Sequence, residues 1–161
     1  MPQMKRRLWI ALALLVLCQS ATYLALAPAA IPALALDVTP ERMHFVSGAT
    51  FSWVYLDLDR CENLTPTQRA SLEQALASRY AVYTSATAIP DSMIEQEPGG
   101  PAVAYRDGFR FAFSIVSRRP FWVTVRHQDF EAGEAGSRGT HAYIWILFTW
   151  VKVSDGPMMV S

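Results

Sequence analysis

The amino-acid sequence predicts an α+β fold, with an N-terminal apolar helix followed by one small domain. Two observations support it: several short segments alternate apolar and polar residues, as strands do, and one segment has helical spacing and capping residues. We expect an antiparallel sheet in the order β-α-β-β-β-β, with a single amphipathic helix packed on one face. Residues 1–36 are predicted to be a signal peptide or signal anchor, 37–48 a linker, 49–155 the exported domain and 156–161 a tail.

The N-terminal segment is apolar from Leu8 to Leu36 and directly follows the basic run Lys5-Arg6-Arg7. Residues 8–27 provide about the 20 apolar residues that a helix needs to cross a bilayer, which favours an anchor that stays in the mature protein. Cys18 could carry a lipid, but the bulky Leu17 before it disfavours a lipoprotein motif.

Cleavage by a signal peptidase is the alternative. Pro28 and Pro32 interrupt the helix, and Ala33-Leu34-Ala35 has the small-x-small pattern that precedes a cleavage site. Both alternatives give one topology, because basic residues before an apolar segment stay in the cytoplasm. We therefore predict a periplasmic or extracellular domain, which is single-pass membrane-anchored through residues 8–27 if the segment is not cleaved.

The first strand and the helix have the clearest patterns. In residues 51–58, Val54, Leu56 and Leu58 alternate with Phe51, Trp53 and Tyr55, so we expect a strand that is covered on both faces. Thr65 is a suitable N-cap, with Pro66 at the first helical position and Gln68 completing a capping box. The predicted helix over 66–80 places Leu72, Ala75, Leu76 and Tyr80 on one face.

The remaining predicted elements are strands and loops. A short strand is expected over 82–87, a long acidic loop over 88–101, and alternating strands over 109–115 and 121–125 with a turn at 118–120. Glycines give 131–140 the composition of an exposed loop. The apolar segment 143–153 predicts either one long buried strand or two strands that turn near Phe148-Thr149.

Charge and cysteine content exclude several classes of protein. Three of the 14 basic residues precede the apolar segment, so the predicted domain is slightly acidic and nucleic acid is not an expected partner. Cys61 would be alone in that domain, and a buried, unreactive thiol is the favoured interpretation.

Candidate chemistry is sparse. His127, Asp129 and His141 flank one loop and could meet across a hairpin, where two imidazoles and a carboxylate suit zinc. The close carboxylates Asp57, Asp59 and Glu62 lack the glycine of a calcium loop. We predict no cofactor and no catalytic residue, because no nucleophile, phosphate or dinucleotide motif occurs. We predict no metal, because His127 alternates onto the face of Val123 and Val125, which we expect to be buried, so a neutral histidine is favoured over a ligand.

Aromatic residues give the remaining functional hint. The tryptophans Trp53, Trp122, Trp145 and Trp150 would form a binding patch if the helix left part of them exposed, and otherwise they belong to the core. The first functional hypothesis is a non-enzymatic domain that binds a protein or envelope component through an aromatic sheet face. The alternatives are an envelope hydrolase or metal-dependent enzyme that uses His127, Asp129 and His141, and a structural accessory of a membrane complex.

Overall fold

The structure is a computed structural model that describes residues 2–39, 51–96, 103–132, 135–156 and 159–160. Most of the predicted linker and tail lies outside these residues. The helices are α1 (Pro2–Ala30), which continues through a 3-10 turn (Ile31–Leu34) into α2 (Ala35–Val38), and α3 (Pro66–Ala77). The strands are β1 (Trp53–Leu56), β2 (Ala81–Tyr83), β3 (Ile94–Gln96), β4 (Val103–Tyr105), β5 (Gly108–Arg119), β6 (Trp122–Ala132), β7 (Ala135–Ile146), β8 (Thr149–Asp155) and β9 (Met159–Val160).

The strands form one mixed sheet, and the predicted α+β class is confirmed. Strands β5, β6, β7 and β8 pair antiparallel in sequence order, as expected for consecutive hairpins. β1 lies between β2 and β5 and is parallel to both, so the prediction of a purely antiparallel sheet was wrong at this end. The parallel pairing of β1 with β2 follows from α3, since a helix that crosses over between two neighbouring strands makes them parallel.

Helix α3 begins as its sequence predicts. The Gln68 backbone N–H donates to the Thr65 hydroxyl (3.2 Å), and the Thr65 N–H donates to the Gln68 side-chain oxygen (3.1 Å), so the capping box is confirmed. Leu72 and Leu76 are fully buried against the sheet. The helix ends at Ala77 rather than at Tyr80, whose ring packs edge-on against Phe109.

The predicted glycine-rich loop over 131–140 was wrong, because β6 continues to Ala132 and β7 begins at Ala135. Gly136 and Gly139 lie within β7, where a Cβ at Gly136 would stand 2.3 Å from the Asp129 carbonyl oxygen. A Cβ at Gly139 would stand 2.6 Å from the His127 ring. These glycines therefore allow a close approach between strands, which composition alone does not distinguish from a flexible loop.

Two hairpins end in two-residue turns at the same end of the sheet. One turn, at Pro120-Phe121, joins β5 to β6, and the other, at Leu147-Phe148, joins β7 to β8, so the two-strand alternative for residues 143–153 is confirmed. Phe121 and Leu147 have φ values of 60° and 55°, a left-handed conformation that is rare for bulky side chains.

The core lies between the sheet and the helices, and the N-terminal segment is part of it. Its buried members are Tyr23, Ala27, Ile31, Leu34, Ala35 and Val38. They belong to the same cluster as Leu72 and Leu76 of α3 and Tyr143, Trp145 and Trp150 of the sheet. The sheet face that the sequence assigned to one helix is therefore covered by two segments, α3 and residues 23–38.

Candidate functional sites

Helix α1 has two parts with different surroundings. Residues 8–17 are exposed along their length, whereas from Gln19 onward the helix lies against β7 and β8. From Arg6 to Val38 the helical segment is long and apolar enough to cross a membrane, with a mean hydropathy of 2.0 over its most apolar window. It is compatible with a signal anchor or a membrane span, as the sequence predicts.

The junction between α1 and the sheet is held by polar side chains within the apolar segment. The Gln19 amide donates to the Trp145 carbonyl (2.6 Å) and accepts from the Leu147 N–H (2.6 Å). The Thr22 hydroxyl donates to the Leu147 carbonyl. The Trp150 indole N–H donates to the Ala27 carbonyl (3.1 Å), one turn farther along the helix. These bonds fix the depth and rotation of α1 against β7 and β8.

The predicted trio His127, Asp129 and His141 does come together, because Val125 pairs with His141 and His127 pairs with Gly139 across β6 and β7. His127 Nδ1 lies 3.1 Å from His141 Nε2, and the rings stack with centroids 5.0 Å apart. His127 Nε2 lies 3.5 Å from an Asp129 carboxylate oxygen, which accepts a hydrogen bond from the Ser137 hydroxyl (2.6 Å). The three side chains form one row along the core face of the sheet, with a hydrogen bond between the two histidines.

Asp155 closes the other end of this row. Its carboxylate lies 2.6 Å from His141 Nδ1 and 3.3 Å from the Lys152 ammonium. These two partners lower the pKa of Asp155, the His141 hydrogen bond most. Burial lowers the pKa of His127 to about 4, with a smaller contribution from the charge of His141. His127 is therefore neutral at physiological pH.

This row lacks the features of a reaction centre. His127 and His141 are 3% and 4% exposed, so a substrate could not reach either ring without opening the sheet or its cover. Among the described residues, no three His, Cys, Asp or Glu side chains have an arrangement that could hold a metal ion. Gly139 lets the two rings approach, which is consistent with a structural hydrogen-bonded pair in the core.

The sheet face opposite the helices carries a polar cleft with a volume of about 250 Å³. One wall is the segment after β1, with Asp59, Arg60 and Glu62; the floor and the other wall are Ala112, Ser114, Arg126, Gln128 and Arg138. The Ser114 hydroxyl anchors the first wall, because it donates to the Arg60 carbonyl (3.1 Å) and accepts from the Glu62 N–H (3.0 Å).

The arginines of this face differ in their partners. Arg110 forms a two-nitrogen pair with the buried Asp57 carboxylate, and Arg60 lies 3.6 Å from the same group. Arg126 and Arg138 lie on neighbouring strands and have no carboxylate partner among the described residues. Two guanidinium groups are therefore available in the cleft for an anionic group, which arginine binds in a planar, two-bond geometry.

Most of the predicted aromatic binding patch is core. Trp53, Trp145 and Trp150 are 1%, 1% and 8% exposed, and only Trp122 has an exposed ring, at 36%. Trp53 is enclosed by edge-on contacts with Tyr83 and Tyr105. Three of these four rings belong to the core, the interpretation that the sequence also offered, and the exposed centre of the sheet face opposite the helices is the polar cleft.

The buried thiol of Cys61 agrees with the sequence interpretation. The Phe113 N–H donates to its sulfur (3.5 Å), and burial raises the pKa of the thiol. This environment disfavours the reactive thiolate.

Sequence reasoning missed two sets of residues. Gln19 and Thr22 are uncharged polar residues within the apolar segment, and such residues usually have a partner when the helix is buried. Arg126 follows the alternation of its predicted strand, so its outward orientation was readable. Arg138 lies in the segment that was predicted to be a loop, and the convergence of the two arginines depended on the strand register. Comparison with protein families, curated proteins and solved structures finds no match to this chain.

Proposed function

We propose that this protein is a non-enzymatic, membrane-anchored accessory protein of the cell envelope, which keeps its N-terminal segment and binds a partner protein through the arginine cleft. The supporting observation is the position of residues 23–38 in the core. Cleavage after Ala35 would remove Tyr23, Ala27 and Ile31 and uncover Trp145 and Trp150. Uncovering large apolar side chains costs about 1.5–3 kcal/mol each, so the domain is expected to be unstable without the segment.

The orientation of the anchor follows from charge. Lys5, Arg6 and Arg7 precede the apolar segment, and basic residues next to a span stay in the cytoplasm. The sheet then lies outside the cytoplasm, in the periplasmic or extracellular compartment. A reporter that is active only outside the cytoplasm, fused after Ser161, should be active, and an inactive but intact fusion would reject this orientation.

Retention is tested by the mass of the mature protein. The full chain, produced with a C-terminal tag and extracted from membranes, should retain residues 1–36. The exposed Ala33 offers a matched control, because Ala33→Arg blocks signal-peptidase recognition without entering the core. The proposal predicts that the wild type and Ala33→Arg both keep residues 1–36, so that their masses differ only by the substitution. A wild-type chain that lacks these residues, together with an Ala33→Arg chain that keeps them, would refute the proposal.

The cleft supports a partner with an acidic group, because Arg126 and Arg138 have no carboxylate partner among the described residues. A photo-crosslinking residue at Gln128, in the cleft, should capture a partner in intact cells, and the same residue at the exposed Glu73 of α3 should not. Charge reversal by Arg126→Glu with Arg138→Glu should abolish the adduct. An adduct that survives the reversal would reject the cleft as the binding surface.

A further inference from the structure

The two hairpin turns next to α1 are exposed and apolar. Phe148 is 63% exposed, and Val116, Trp122, Ile146 and Leu147 are also largely exposed. Together with Leu15 and Val16 of α1, the side chains of Phe121, Ile146 and Leu147 line an apolar groove of about 490 Å³. Exposed apolar patches of this kind mark a surface that meets a partner or a membrane.

The length of α1 indicates that this surface meets the membrane. The turn at 147–148 lies level with Gln19, and the helix from Leu8 to Gln19 is only about 17 Å long at 1.5 Å per residue. The hydrocarbon core of a bilayer is about 30 Å thick and needs about 20 residues, which brings its outer boundary near Ala27. Gln19, and the turn beside it, would therefore lie within the outer leaflet.

Several backbone groups of the two turns are paired with side chains of α1. The Leu147 N–H donates to Gln19, and the Leu147 carbonyl accepts from Thr22. The Tyr23 hydroxyl donates to the Arg119 carbonyl (3.2 Å) at the end of the other hairpin. Backbone groups in hydrocarbon must be satisfied within the protein, and an exposed turn in water would not need such partners.

The residues around the turns follow the polarity of a bilayer surface. Trp122 pairs across the sheet with Ile144, which pairs with Val151, so the apolar surface continues from the turns onto the sheet face. Arg118 and Arg119 are exposed at the end of β5, where their guanidinium groups can reach lipid phosphates. The cleft with Arg126 and Arg138 lies farther along the same strands, away from the turns.

We infer that the turns Pro120-Phe121 and Leu147-Phe148 insert into the outer leaflet beside α1, so that the domain is seated in the lipid rather than tethered above it. This inference rests on the proposed retention of the anchor. Insertion of the two turns would fix the height and orientation of the sheet relative to the bilayer. The cleft would then be placed to meet a partner that is also bound to the membrane.

Depth measurement by spin labelling tests the inference. The full chain is reconstituted in phosphatidylcholine and phosphatidylglycerol vesicles in a Cys18→Ser background, with the buried Cys61 left in place. One label is placed at Phe148→Cys, and a matched control label at Glu73→Cys on the exposed face of α3. We expect the Phe148 label to collide several-fold more with dissolved oxygen than with a water-soluble nickel chelate, and the Glu73 label to show the reverse.

A third label, at Leu12→Cys in the exposed part of α1, separates two kinds of failure. If Leu12 is in lipid while Phe148 is as accessible to the chelate as Glu73, the seating is wrong and the anchor stands. If Leu12 is also in water, the membrane anchor itself is wrong. Phe148 is exposed, so its substitution should leave the near-UV circular dichroism of the chain unchanged, and this spectrum confirms that the labelled protein is folded.

Discussion

Buried His127 should make the stability of the domain depend on pH. Its pKa is about 4 in the folded protein because burial disfavours the imidazolium, whereas an exposed histidine in the unfolded chain has a pKa near 6.5. The unfolded state therefore binds more protons between these two values, and the free energy of unfolding falls as the pH is lowered. Linkage gives a loss of about 2 kcal/mol between about pH 7 and pH 5 from this residue.

The measurement is a series of urea unfolding curves in detergent micelles, followed by tryptophan fluorescence, for the full chain between about pH 7 and pH 5. His127→Gln keeps a hydrogen-bonding side chain but does not titrate. Over this pH range its free energy of unfolding should therefore fall by about 2 kcal/mol less than that of the wild type. Arg126→Lys, on the same strand and the opposite face, is the matched control and should follow the wild type. Asp155 should not add to the pH dependence in this range, because its hydrogen bonds to His141 and Lys152 lower its already acidic pKa.

Equal pH slopes for the wild type and His127→Gln would refute the reasoning. Such a result would mean that His127 is accessible to solvent or that the row from Ser137 to Asp155 stabilises the imidazolium. It would also reopen the row as a candidate site of proton chemistry.

Four further substitutions test the described packing, each by urea unfolding of the full chain. Leu72→Asp should prevent folding, because an unpaired buried charge costs several kcal/mol, and a stable, soluble variant would contradict the placement of α3. Thr65→Ala should lower the free energy of unfolding by only about 1 kcal/mol, because it removes the N-cap hydrogen bond. Gly139→Ala should lower the free energy of unfolding by about 1–3 kcal/mol, since its Cβ would stand 2.6 Å from the His127 ring. An unchanged urea midpoint would show that the rings can move. Asp57→Asn should cost about 3 kcal/mol by leaving Arg110 without its carboxylate, with the exposed Glu73→Gln as the neutral control.

The sequence predicted what depends on local chemistry. The start of α3 is determined by Thr65, Pro66 and Gln68, and the antiparallel strands by alternation along each segment, so both were readable. The parallel pairing of β1 was missed because it depends on where the crossover helix returns the chain. Strands β3, β4 and β9 were missed because two or three residues carry no periodic signal.

The candidate sites were predicted in part for the same reason. His127, Asp129 and His141 came together as one alternative required, because β6 and β7 pair in register from Trp122 to Phe130. The burial of Trp145 and Trp150 was not readable, since it depends on residues 23–38 returning to the sheet. The N-terminal apolar segment has a membrane-like composition, and the polar residues Gln19 and Thr22 were the signal that part of it would pack against protein.

The pairing of α1 with β7 and β8 also bears on when the protein can fold. Gln19 and its partner Trp145 are 126 residues apart, so α1 contacts a strand that is synthesised long after it. Closing so long a segment is slow, and the apolar face of β7 waits uncovered until then. Under the proposed retention of α1 in the bilayer, its partner strands would reach it only by returning to the membrane surface, and the membrane would be the place where folding is completed.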